Sequence, residues 1–147
     1  MTTLNSESKK ARRRGIQKGY RSGLEEKVSR QLEASGLQWS YESMKIKYLE
    51  PETWHTYTPD FPLGKNAQII IETKGRFQSD DRKKHLMIKA QHPELDIRFV
   101  FENPNTKINK VSKTSYADWC NKYGFKWAVK LIPQEWLDEI RRKNHAS

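Results

Sequence analysis

The most constraining feature of this sequence is the segment IIIETKG at residues 69–75, where three isoleucines run directly into charged residues. The segment predicts a buried β-strand over residues 67–74 that ends at the glycine. Because side chains two residues apart share one face of a strand, Glu72 and Lys74 are expected beside Ile70 on one face. A carboxylate and an ammonium pack less well there than Val or Ile, so this face is expected to carry chemistry as well as core.

A second carboxylate, Asp60, stands twelve residues before Glu72 and follows a proline. Residues 57–63 predict a short strand, and the turn at 64–66 joins it to the strand at 67–74 as an antiparallel hairpin. This pairing is expected to bring Asp60 close to Glu72.

Two carboxylates that converge on one point form a hard-oxygen site of the kind that holds Mg²⁺. The backbone carbonyl of Thr73 is a further candidate ligand, and Lys74 is placed to stabilise charge that develops on a phosphate. The alternative is a plain structural ion pair between Glu72 and Lys74 at a sheet edge. The full pattern, with Asp60 and the isoleucine run before Glu-Thr-Lys-Gly, favours the metal site.

The rest of the chain predicts alternating helices and strands. The predicted elements are a helix from Ser22 to Gly36, one or two strands between residues 39 and 48, a loop at 50–55, a helix at 79–92, a strand at 96–101, a helix at 115–123, a strand at 125–131 and a final helix from Pro133. This order implies an α/β fold with one central mixed sheet flanked by helices.

The charge of the chain favours a nucleic-acid partner. The formal net charge is +10 at pH 7, and a basic segment on a basic body suits a polyanion. The candidate DNA-binding residues near the N-terminus are Lys9, Lys10, Arg12, Arg13, Arg14, Lys18 and Arg21. Those in the 79–92 helix and the polar loop at 102–113 are Arg82, Lys83, Lys84, Lys107, Lys110 and Lys113. The alternatives are a solubilising tail and a solvated helix face.

Other features exclude whole classes of protein. A single cysteine, Cys120, excludes an internal disulfide and is typical of a reducing compartment. No segment approaches the roughly 20 apolar residues of a membrane span, and the charged N-terminus lacks the apolar stretch of a secretory signal. We therefore expect no membrane partner. We also expect no small-molecule substrate.

The pattern P-D…E-T-K resembles the P-D…(D/E)-x-K signature of the restriction-endonuclease-like nuclease superfamily. At greater length, the chain resembles the phage endonuclease I family of Holliday-junction-resolving enzymes. The segments that carry this resemblance are RSGLEEKVSRQLEASG, TYTPDF, IETKG, SDDRKKHLMIKAQHPELDIRFVF and TSYADWC. The resemblance runs from about Arg21 to about Trp136.

The resemblance implies roles for four side chains. Asp60 matches the family's central metal-bridging carboxylate, Glu72 its second metal ligand and Lys74 its catalytic lysine. Glu25 matches a carboxylate on the first helix that completes a second metal position. From the residues alone, Glu25 also fits the N3 position of a capping box with Ser22, which needs no catalytic role.

The resemblance also implies an assembly and a reaction. We expect a restriction-endonuclease-like fold and an intertwined, domain-swapped homodimer in which Glu25 of one subunit serves the site built on Asp60 of the other. The expected activity is cleavage of four-way and other branched DNA junctions, leaving 5′-phosphates. The expected cofactor is Mg²⁺, two ions per site, with Mn²⁺ as a substitute. The expected location is the cytoplasm of an infected bacterial host.

Two further interpretations of the function stay open at this point. One is another nuclease of the same fold, such as a restriction-like or transposition endonuclease, and the other is a non-catalytic DNA-binding module. The expected organisation of the chain is a basic, disordered tail at residues 1–20, a nuclease domain at 21–140 and a basic C-terminal tail at 141–147.

Overall fold

The structure, a computed structural model, describes Tyr20 and residues 22–146. Its elements in chain order are α1 (Gly23–Ser35), β1 (Ile46–Glu50), β2 (Thr53–Tyr57), β3 (Phe61–Leu63), β4 (Ile69–Lys74), α2 (Ser79–Gln91), β5 (Ile97–Phe101), α3 (Tyr116–Tyr123), β6 (Lys126–Val129) and α4 (Gln134–Ala146). The expected α/β class with a mixed sheet is therefore confirmed.

The central sheet has four strands in the order β3-β4-β5-β6. Strand β3 pairs antiparallel with β4, and Phe61 lies opposite Ile71. Strands β4, β5 and β6 are parallel, and Lys74 lies opposite Phe101 where β4 and β5 end. The predicted hairpin around Asp60 is confirmed, and Pro62 is tolerated in β3 because β3 is an edge strand.

Two apolar cores cover opposite faces of this sheet, because the isoleucines of β4 alternate between its faces. Ile69 and Ile71 join the core that includes Leu24, Val28 and Leu32 of α1 with Leu137 and Ile140 of α4. Ile70 joins the core that includes Ile88 of α2, Trp119 and Cys120 of α3, and Ile46 and Tyr57 of the β1–β2 hairpin. The helices therefore flank the sheet on both sides.

Helix α1 begins and ends where the sequence predicts. The Ser22 Oγ accepts a hydrogen bond from the Glu25 N–H at 3.2 Å, so Ser22 is the N-cap. Gly36 ends the helix in the left-handed conformation, with φ of 72°. The apolar stripe of the helix then holds its first turn, including Glu25, against the sheet.

The region between α1 and β3 differs from the prediction. Of the one or two strands expected between residues 39 and 48, the structure has β1, which begins at Ile46; before it, Glu42 has a positive φ of 49° that interrupts extended backbone. The expected loop at 50–55 is instead the turn and second strand of the β1–β2 hairpin, where Glu52 takes a φ of 73°. The expected strand at 57–63 is broken at residues 58–60, and Asp60 lies in that break.

Residues near both ends of the described chain belong to the folded part of the structure. Tyr20, the last residue of the predicted tail, is buried and packs edge-on against Tyr41 with ring centroids 4.4 Å apart. Helix α4 continues through residues 141–146, where a tail was expected. The basic residues predicted at positions 9–18, together with Arg21, lie outside the described residues. None of the described helices combines the length and apolar character that crossing a membrane requires.

Candidate active site

Asp60 is buried in the break between β2 and β3 and is only 1% exposed. The antiparallel register of β3 on β4 sets it beside the residues that follow Ile71. Its Oδ2 accepts hydrogen bonds from the backbone N–H and the hydroxyl of Thr73, both at 3.0 Å. Strand β4 therefore fixes the orientation of the Asp60 carboxylate.

Glu72 lies next to Asp60 and is 3% exposed. Its Oε1 accepts a hydrogen bond from the Tyr57 hydroxyl at 2.5 Å and another from the Asp60 N–H at 3.1 Å. Its Oε2 lies 3.9 Å from the Lys74 Nζ. Two hydrogen-bond donors therefore hold the Oε1 of Glu72, while its Oε2 faces the Lys74 ammonium.

Burial makes ionisation of Glu72 costly. Desolvation, with the neighbouring charge of Asp60, raises the pKa of Glu72 to about 8, although Lys74 and the hydrogen bonds from Tyr57 and Asp60 act in the opposite direction. Burial and the Glu72 charge also raise the pKa of Tyr57 well above its usual value, so the phenol stays a donor. A buried carboxylate of this kind gains strongly from a nearby cation.

Lys74 is held between two carboxylates. Its Nζ lies 3.6 Å from the Asp81 Oδ1 as well as 3.9 Å from the Glu72 Oε2, and the side chain is 14% exposed. Asp81 belongs to the first turn of α2 and also lies 3.6 Å from the Lys84 Nζ. Lys84 in turn lies over the Tyr57 ring, 5.6 Å from its centroid. This arrangement positions the ammonium of Lys74 at the rim of the site.

A second group of carboxylates meets Asp60 from the α1 side. One oxygen each of Glu25, Glu42 and Asp60 lie within 4.8 Å of one another. Glu25 is 5% exposed, and it accepts a hydrogen bond from the Tyr41 hydroxyl. The Glu42 N–H donates to the Asp60 carbonyl at 3.0 Å, which fixes the turn that carries Glu42. In this structure Glu25 and Asp60 meet within one chain.

The donor set fits a hard divalent cation. Mg²⁺ and Mn²⁺ bind carboxylate oxygens, and the group around Asp60 offers three such oxygens at a spacing that an ion can bridge. Glu72 also contacts Asp60, because its Oε1 accepts the hydrogen bond from the Asp60 N–H. Asp60 therefore contacts both Glu72 and the group formed with Glu25 and Glu42. The site predicted from the sequence did not include Glu42.

The basic residues predicted to contact DNA have diverse environments. The Arg82 Nη1 donates to the Phe77 carbonyl at 2.6 Å and approaches the Ile108 carbonyl at 3.5 Å, so this guanidinium helps to hold the backbone. Lys83 pairs with Glu50 at 3.5 Å and remains 70% exposed. Lys107 and Lys110 are exposed, and the Lys107 Nζ donates to the carbonyl of residue 113 at 3.0 Å.

Sequence reasoning missed three residues of this site. Glu42 has no distinguishing neighbours in the sequence, and its place depends on a positive φ. Tyr57 has the spacing of a core aromatic, and only the structure shows its hydroxyl on Glu72. His85 is fully buried against Tyr57, with ring centroids 5.3 Å apart, and burial lowers the pKa of this imidazole well below its usual value. The only signal for His85 in the sequence is its spacing from Ile88, which places both residues on one face of the helix.

Sequence similarity relates this chain to phage proteins. The family described as "Phage endonuclease I" matches residues 6–147. Over 132 residues the chain is 54% identical to "Endonuclease I" of Escherichia phage T7. The matched segment covers 88% of this chain and 87% of that protein. Over 126 residues it is 52% identical to "Endodeoxyribonuclease 1" of Enterobacteria phage T3. That matched segment covers 86% of this chain and 82% of that protein.

Proposed function

The chain belongs to the phage endonuclease I family, and from this premise we propose that it is a metal-dependent endonuclease that cleaves four-way and other branched DNA junctions. The observation that carries the proposal is the convergence of buried carboxylates on Asp60, with Lys74 beside them. The relatives are named an endonuclease and an endodeoxyribonuclease, which supports DNA as the substrate. The reaction is hydrolysis of a phosphodiester bond that leaves a 5′-phosphate.

The carboxylates would hold two metal ions that share Asp60. Glu72, with the backbone carbonyl of Thr73, would complete one position, and Glu25 with Glu42 would complete the other. Bound Mg²⁺, or Mn²⁺ in its place, supplies a Lewis acid that activates water and neutralises the charge of the leaving 3′-oxygen. The hydrogen bonds from Thr73 and Tyr57 hold the carboxylates in place, as outer partners do at metal sites generally.

Lys74 would act on the phosphate itself. A fixed cation next to a reacting phosphate stabilises the negative charge that develops in the transition state. The ammonium is kept at the site by Asp81 at 3.6 Å and Glu72 at 3.9 Å, and its partial burial strengthens that electrostatic contribution.

Selectivity for branched DNA would rest on shape and charge. A chain of net charge +10 attracts phosphate backbones, and phosphate contacts position DNA without reading its bases. A homodimer holds two helical arms at once and carries two sites, so it can cut two strands of one junction. These features support resolution of a junction in preference to cleavage of a linear duplex.

The proposed homodimer exchanges α1 between subunits, and mixing two inactive variants tests this. We would combine Glu25→Ala chains with Asp60→Ala chains under conditions that allow subunits to exchange. In an exchanged dimer, the mixed species contains one site with an intact Glu25 and an intact Asp60, so cleavage returns. If every site uses groups of one chain only, both sites of the mixed dimer stay damaged and cleavage does not return.

The function itself is tested by cleavage of a labelled four-way junction, with an equal-length linear duplex as the control. The expected result is product from the junction with Mg²⁺, none with EDTA, and much less from the duplex. Equal cleavage of both substrates would favour a nuclease without structure selectivity. Binding of the junction without any metal-dependent product would favour a non-catalytic DNA-binding module.

A further inference from the structure

The loop between β5 and α3 ends in an exposed apolar tip among lysines. Val111 is 93% exposed, whereas Trp54, the next most exposed large apolar side chain of the described residues, is 67% exposed. Lys110 and Lys113 are exposed on either side of it. No acidic residue stands in the sequence between positions 102 and 118, so the loop itself carries only positive charge. We call residues 107–115 the finger loop.

The finger loop holds one backbone conformation through its own hydrogen bonds. The Ile108 N–H donates to the Thr114 carbonyl at 2.9 Å, which pairs the two arms. At the tip, the Asn109 Oδ1 accepts from the N–H groups of Val111 and Ser112 at 3.0 and 2.7 Å. Val111 is therefore presented by a preformed turn, and binding through it loses little conformational entropy.

The finger loop is anchored beside the active-site strand. The segment that leads to it leaves β5 next to β4, and the Glu102 N–H donates to the Lys74 carbonyl at 3.1 Å. At its base, the Arg82 guanidinium joins the Phe77 carbonyl to the Ile108 carbonyl, at 2.6 and 3.5 Å. The segment that carries the finger loop thus begins at the same end of the sheet as Lys74.

We propose that the finger loop is a DNA-binding element that places Val111 against the open base faces of a branch point, while Lys110 and Lys113 hold the flanking phosphates. This rests on the proposed function of the site. A single exposed apolar residue is ordinary on a protein surface. The combination of near-complete exposure, a preformed turn, flanking lysines and attachment to the Lys74 strand is what points to nucleic acid.

A branch point is the DNA feature that this tip suits best. An apolar side chain that enters a continuous duplex must first unstack a base step, which costs free energy. Where a helix is interrupted, the terminal base pair already exposes an apolar face, so the same contact forms without that cost. Val111 would therefore favour branched over linear DNA, whereas the lysines would bind the phosphates of either.

The test compares Val111→Ser with wild-type protein and with Val129→Ser, a matched loss of a valine that is 50% exposed on β6. Dissociation constants are measured in EDTA, so that no strand is cut, for a four-way junction and an equal-length duplex. A 2-aminopurine base at the branch point reports contact with the tip. Because Val111 is exposed, the variant is expected to fold normally, and thermal unfolding checks this.

We expect Val111→Ser to bind the junction about tenfold more weakly, as loss of a buried valine contact implies, with unchanged duplex binding and a lost 2-aminopurine response. Val129→Ser should bind both substrates with the wild-type affinity. Lys110→Ala should lower the salt dependence of binding to both substrates. Unchanged junction affinity of Val111→Ser, or equal weakening on both substrates, would overturn the inference alone. A wild type that neither prefers nor cleaves the junction would overturn the proposed function, and the inference with it.

Discussion

Replacement of Glu72 by glutamine should stabilise the metal-free protein at pH 8 and reduce its stabilisation by Mg²⁺. Glutamine keeps an Oε1 that accepts from the Tyr57 hydroxyl and the Asp60 N–H, at present 2.5 and 3.1 Å away. The substitution therefore removes a buried charge and little else, apart from the 3.9 Å approach of Lys74.

The size of the effect follows from the pKa of Glu72, which burial raises from its ordinary 4.5 to about 8. Between these values the folded protein binds a proton that the unfolded chain does not, so wild-type stability falls as the pH rises through this window. The penalty is absent below pH 4.5 and complete above pH 8. It amounts to roughly 4 kcal/mol at pH 8 and under about 1 kcal/mol at pH 5.

The assay is urea unfolding in EDTA at pH 5 and pH 8. The free energy of unfolding of Glu72→Gln should be higher than that of the wild type at pH 8 and nearly equal to it at pH 5. That of Glu135→Gln, at an exposed glutamate of α4, should equal the wild-type value at both pH values. Added Mg²⁺ at pH 8 should then stabilise the wild type more than Glu72→Gln. This reasoning would be refuted by an equal difference in unfolding free energy between Glu72→Gln and the wild type at both pH values. Equal stabilisation of both proteins by Mg²⁺ would also refute it.

Three further substitutions follow from the same geometry. Tyr57→Phe removes a donor to Glu72 and should raise the Mg²⁺ concentration for half-maximal cleavage about tenfold or more; an unchanged metal titration would contradict this. Lys74→Gln should slow single-turnover cleavage about 100-fold or more with junction affinity nearly unchanged; a wild-type rate would exclude its role. His85→Phe removes two buried ring nitrogens that lack hydrogen-bond partners among the described residues and should raise the unfolding free energy by about 1 kcal/mol or more; a lower melting temperature would indicate that the nitrogens are satisfied.

Strand β4 and its neighbours were predictable because their signals are local. The isoleucine run, the alternation of faces and the glycine at residue 75 place Glu72 and Lys74 without knowledge of any distant contact. The hairpin that brings Asp60 to Glu72 needs one turn and one register, and both leave marks in the sequence. The part of the site that lies on β3 and β4 therefore follows from short-range reasoning.

Glu42 and Tyr57 were not predictable in this way, because their roles depend on contacts between distant segments. Glu42 reaches the site through a positive φ and a hydrogen bond to the Asp60 carbonyl. Tyr57 alternates like any core aromatic, and its hydroxyl matters only because Glu72 is buried beside it. The β1–β2 hairpin was missed because Pro51 predicts a loop. In the structure Glu52 takes the left-handed backbone conformation and forms a tight turn.

The most direct test of the central claim, that carboxylates centred on Asp60 form a metal-dependent cleavage site, is single-turnover cleavage of a labelled four-way junction by Asp60→Ala. We expect no product above the metal-free background at saturating Mg²⁺, while junction binding in EDTA stays close to that of the wild type. Asp80→Ala, at an exposed aspartate of α2, should cleave like the wild type. Cleavage by Asp60→Ala at the wild-type rate would contradict the account.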